Sequence, residues 1–111
     1  MMNAICMMCH DKRNDMRARK LEKIREILYD VDSRINGRIK RFNWGYGQKC
    51  RYGMPCPELQ RNANRETMLI REIEPKLNNV LSGTDVRLKR KLLEQLRGDF
   101  PSVYVEVERT L

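Results

Sequence analysis

Long hydrophobic runs are absent, and no uninterrupted apolar stretch of the 111 residues approaches the roughly 18 needed to cross a bilayer. The amino terminus lacks a charged region followed by a hydrophobic one, so neither export nor membrane insertion is expected. The chain therefore reads as intracellular: cytoplasmic, or associated with a nucleoid or nucleus. Histidine occurs once, at His10, so imidazole catalysis would rest on that residue alone. No serine elbow, phosphate-binding glycine loop or metalloprotease helix motif occurs. Asp30 and Asp32 diverge on a helix, and Glu106 and Glu108 share a strand face with no third metal ligand nearby in sequence. A non-catalytic role is expected, with a small nuclease as the remaining enzymatic alternative.

What is present suits one folded domain spanning residues 1–111: 41% hydrophobic and 34% charged residues are too apolar for disorder and too polar for a membrane bundle. The net charge of +8 favours an anionic partner. Its distribution is uneven. Residues 12–52 hold 13 basic and 5 acidic side chains, whereas residues 53–111 hold 10 and 9. An electropositive face in the first half is expected from this asymmetry.

The hydrophobic pattern predicts a mainly α fold of about three packed helices, a cysteine-rich loop and a short C-terminal β-strand. Asn14 or Asp15 can cap a helix over 14–36, with Leu21, Ile24, Leu28, Val31 and Ile35 on one stripe and Asn36-Gly37 as its stop. Pro57 suits the first turn of a second helix, 57–81, carrying Leu59, Ala63, Met68, Ile70, Ile73, Leu77 and Val80, with Pro75 expected to kink or split it. Thr84 or Asp85 can cap a third, 84–97, with Leu88, Leu92, Leu93 and Leu96 inward. Val103, Val105 and Val107 alternate with Tyr104, Glu106 and Glu108, which predicts a strand over 102–109. Its partner would be residues 3–8, residues 38–44, or the same strand of a second copy, giving a homodimer. Ser82-Gly83-Thr84 resembles the turn of a helix-turn-helix, but Asn78, Ser82 and Lys89 fall where that motif needs apolar residues. Arg87 to Lys91 remain secondary phosphate contacts.

Cys6 and Cys9 flank two residues and Cys50 and Cys56 flank five, so two close pairs, in segments 1–13 and 42–57, point to one tetrahedral zinc site. Four reduced, buried cysteines are the alternative. The run Cys6-Met7-Met8-Cys9-His10 also fits c-type haem attachment, which leaves the second pair without a role. Four of the seven aromatic residues fall within residues 38–52. There, Arg38, Lys40, Arg41, Lys49 and Arg51 can neutralise phosphates of RNA or DNA while Trp44 and Tyr46 stack on bases. The competing arrangement has Phe42 and Trp44 in the core, with Tyr46 and Tyr52 over the cysteines. A zinc-stabilised nucleic-acid-binding protein is thus the leading expectation. The alternative is a protein-interaction module, an assembly adaptor or inhibitor of a larger machine, acting through a helical surface or the C-terminal strand. Elemental analysis of untagged protein tests the metal expectation: about one zinc per chain is expected, with thiols that react only after chelation.

Overall fold

The first apolar stripe forms helix α1, Met16–Ile27, which turns Ala18, Leu21 and Ile24 completely inward. The structure, a computed structural model, describes residues 15–33, 39–45, 53–54 and 56–110. α1 is shorter than the 14–36 predicted from its stripe. After Ile27 the chain passes into tight turns closed by bonds from Tyr29 N–H to the Glu26 carbonyl and from Val31 N–H to the Leu28 carbonyl. Asp30 and Asp32 would oppose the helix dipole at its C-terminal end, which accounts for the early stop. Leu28 nevertheless remains buried and Val31 still packs on the core, so the stripe outlives the helix. Asp15 occupies the N-cap without capping, because its carboxylate accepts from Arg19 Nε at 3.1 Å instead.

Helix α2, Pro57–Ser82, begins on proline as expected and runs unbroken through Pro75. Ile73 and Leu77, flanking that proline, are fully buried, and their packing offsets the missing bond to the Arg71 carbonyl. Helix α3, Val86–Asp99, is capped by Asp85, whose carboxylate accepts from Leu88 N–H at 3.1 Å. Leu92 and Leu96 face inward. α1 lies against both α2 and α3.

The C-terminal segment corrects the predicted strand: residues 101–110 form a helix, α4, Pro101–Thr110, packed on α3. No strand occurs among the described residues. Val103 and Val107 satisfy both a two-residue and a helical period, so only Val105 separates the two, and it is 44% exposed. The buried set is Phe100, Val103 and Val107, an i, i+3, i+7 pattern that begins one residue before Pro101. Phe100 also makes the junction: its N–H closes α3 on the Leu96 carbonyl at 2.8 Å, and its carbonyl accepts from Tyr104 N–H at 3.0 Å. Pro101 has no N–H with which to continue α3, so the helix breaks there and restarts. Pairing of strand 102–109 with a second copy or a partner falls with the strand. Thermal unfolding separates the two periods. Val107→Ala should cost about 2 kcal/mol, from about 0.8 kcal/mol per buried methylene removed plus a cavity, whereas Val105→Ala should change stability by less than about 0.5 kcal/mol.

Candidate nucleic-acid interface

The inner face of α2 is not purely apolar. Asn62, Glu66 and Glu74 are buried along it, and Glu74 is only 2% exposed. Burying a carboxylate is costly unless donors surround it, and here residues 39–45 supply them. Glu74 accepts from Arg41 Nη1 at 2.8 Å, from Phe42 N–H at 2.9 Å and from Trp44 Nε1 at 3.5 Å. One helical turn on, the Asn78 amide brackets the Lys40 backbone, accepting from its N–H and donating to its carbonyl, each at 3.3 Å. Glu106 of α4 accepts from Asn43 N–H at 2.9 Å, and Arg17 of α1 donates to the Trp44 carbonyl at 3.0 Å. Side chains from three helices thus satisfy the backbone of a segment that has no regular structure of its own.

This clamp decides what the aromatic and basic loop can do. Trp44 is 6% exposed and Phe42 7%, and both belong to the core. The indole meets the Phe100 ring edge-on at a centroid distance of 5.3 Å, while Phe42 meets Trp44 at 6.5 Å. Trp44 therefore packs against protein and presents no free face on which a base could stack. Lys40 turns its ammonium to Thr110 Oγ1 at 2.6 Å and over the Phe42 ring. Arg41 keeps most of its side chain in solvent while one Nη bonds Glu74. Arg38, Tyr46, Lys49 and Arg51 lie outside the described residues.

Folding also redistributes the charge. Acids of α2 neutralise cations of α1, through Arg17–Glu66 at 3.4 Å and Arg25–Glu72 at 3.7 Å, and Arg65 of α2 pairs with Glu22 of α1. On α3, by contrast, Arg87, Lys89, Arg90, Lys91 and Arg97 make no ion pair among the described residues. Arg87, Arg90, Lys91 and Arg97 are exposed. A charge count along the sequence placed the basic face in the first half, whereas among the described residues pairing leaves the densest unpaired run on α3. Spacing alone made Arg87 to Lys91 secondary contacts and missed Arg97.

Of the four cysteines, only Cys56 lies within the described residues. It is half-buried at the N-cap of α2, with its Sγ 3.5 Å from the Met54 carbonyl oxygen. Cys6, Cys9 and Cys50 lie outside them, as does His10. Among the described residues, no three His, Cys, Asp or Glu side chains are grouped to hold a metal, and no helix is long and apolar enough to cross a membrane.

The chain matches no protein-family model, no curated protein and no solved structure. The clamp can be tested directly, because Trp44 is the only tryptophan and its emission reports on the docked segment. Glu74→Ala removes the acceptor of two buried N–H groups and should cost about 3 kcal/mol in denaturant unfolding, with a red-shifted emission in the native baseline. Asn78→Ala should cost about 1 kcal/mol and leave the emission nearly unchanged.

Proposed function

We propose that this chain is a small, basic, non-catalytic nucleic-acid-binding protein that contacts phosphates through α3 together with the loop cations. The observation that carries this reading is the run Arg87, Lys89, Arg90, Lys91 and Arg97, which pairs with no described carboxylate while most cations of α1 and α2 do. Clustered cations without intramolecular partners are the electrostatic footprint of phosphate binding, where counterion release supplies the affinity. Arg38, Lys49 and Arg51, with the exposed part of Arg41, extend the contacts to the loop. Tyr46 is its stacking residue. Zinc held by Cys6, Cys9, Cys50 and Cys56 ties the amino-terminal segment to this loop, and Cys56 stands at the start of α2, next to Pro57, to receive it.

The protein-interaction alternative, an adaptor or inhibitor, no longer has a strand to offer and rests on helical surface alone. Fluorescence anisotropy with a labelled single-stranded oligonucleotide, titrated at several salt concentrations, separates the two. The native chain should bind at low salt with a steep salt dependence. Replacing Arg87, Arg90 and Lys91 together by alanine should reduce the slope of log affinity against log salt by roughly 2, at about 0.7 for each phosphate no longer neutralised. An unchanged slope, or no binding at low salt, sinks the nucleic-acid reading.

A further inference from the structure

Helix α3 carries an alternation that its phosphate-binding role does not require. Val86, Arg90, Leu93 and Arg97 follow one another at spacings of four, three and four, so apolar and cationic side chains share one face. That face forms one wall of a groove of about 330 Å³, and Tyr104 of α4 lines the groove as well. Val86 is 63% exposed although it stands in the first turn of a helix, and Leu93 and Tyr104 are half-buried. Tyr104 packs against the core on one side and lines the groove on the other. Lys89, Arg90 and Arg97 give the groove three cations against the single carboxylate of Glu94.

We propose that this groove seats an unstacked base of a single-stranded nucleic acid, with Tyr104 as its stacking face and Lys89, Arg90 and Arg97 on the flanking phosphates. This inference rests on the nucleic-acid reading above and adds the form of the ligand. Three observations favour a single strand over an acidic amphipathic helix. The volume lies at the lower end of the roughly 300–1,000 Å³ of small-ligand sites, whereas a docked helix needs a groove long enough for anchors at i, i+3, i+4 and i+7. Arg90 and Arg97 stand two helical turns apart, about 10 Å along the axis and on either side of Leu93, so their flexible guanidinium arms reach phosphates on both sides of a seated base. An aromatic face beside cations is also the arrangement that binds unpaired bases with little regard to sequence. A duplex keeps its bases stacked and offers the groove phosphates alone.

The test measures binding of the whole chain to three ligands of equal length: a labelled 12-nucleotide single strand, the corresponding duplex, and a strand of abasic sites. The single strand should bind about tenfold more tightly than the abasic strand. Tyr104→Phe should keep that preference, while Tyr104→Leu should abolish it and leave abasic affinity unchanged. Where Tyr104→Leu does not fold, cross-linking of the native chain to a 5-iodouracil strand decides, with an adduct at Tyr104 expected and adducts only elsewhere overturning the assignment. Equal affinity for all three ligands would overturn the base seat and leave phosphate binding standing. Failure of every oligonucleotide to bind would remove both. Capture of a glutamate-rich amphipathic peptide in their place would assign the groove to a protein partner.

Discussion

A buried carboxylate organises this molecule. Glu74 has nearly no access to solvent, and its charge is sustained by a guanidinium, a backbone N–H and an indole N–H that all come from residues 41–44. Breaking such a cluster by removing one partner costs more than any single hydrogen bond, because the remaining groups are left desolvated. The segment therefore docks as a unit, and docking delivers Phe42 and Trp44 to the core. Without those rings, Phe100 would have no edge-on neighbour in Trp44, and α4 would be without the Asn43 N–H that it holds through Glu106. One acid on α2 thus links the central segment to the C-terminal helix.

The same logic governs the charge. A surplus of eight positive charges within residues 12–52 is a property of the chain, and a surface is made only after pairing. α1 and α2 lie side by side, and their opposite charges meet along the contact as Arg17–Glu66, Arg25–Glu72 and Glu22–Arg65. The exposed pairs, Arg25–Glu72 and Glu22–Arg65, contribute little stability, but all three remove cations from the pool available to a ligand. Among the described residues the cations of α3 make no comparable row of ion pairs, and Arg87, Arg90, Lys91 and Arg97 are exposed. The electropositive surface arises from which helices are neighbours as much as from composition.

The sequence was most legible where one periodicity dominates. Leu21, Ile24 and Leu28 announced α1, Pro57 and Asp85 marked the starts of α2 and α3, and the stripes of α1 and α3 face the core with Ile73, Leu77 and Val80 of α2, whereas Ala63 and Met68, expected on the α2 stripe, are exposed and Leu69 is buried in their place. Legibility failed where two patterns share residues. Val103 and Val107 fit a strand and a helix equally, Val105 alone separates the two within the segment, and Phe100, which completes the helical pattern, sits across a proline that made the segment look separate. It failed again where polar residues face inward. Asn78 was a misfit to a helix-turn-helix, and Glu66 and Glu74 are buried at positions that the apolar stripe of α2 does not include. Each is explained by a partner 32 to 49 residues away, which no local window contains. A polar residue at a core position is nonetheless a signal in its own right: something must come to satisfy it.

α4 shows how much turns on the helical period. As a strand, residues 102–109 would have two sides, with the valines on one and Tyr104, Glu106 and Glu108 together on the other. A helix has room for three. Val103 and Val107 point into the core, Glu106 and Thr110, four residues apart, hold Asn43 and Lys40 of the clamped segment, and Tyr104 is left to line the groove beside α3. Separating Tyr104 from Glu106 is the consequence that matters electrostatically. On a strand, the ring would have Glu106 as its adjacent same-face neighbour, whereas on α4 Glu106 is turned to a backbone N–H of the 39–45 segment, Glu108 stands one turn on from the ring, and the ring lines the groove with Lys89, Arg90 and Arg97. The proline that breaks α3 and restarts the chain as α4 is therefore what places an aromatic ring in a basic groove.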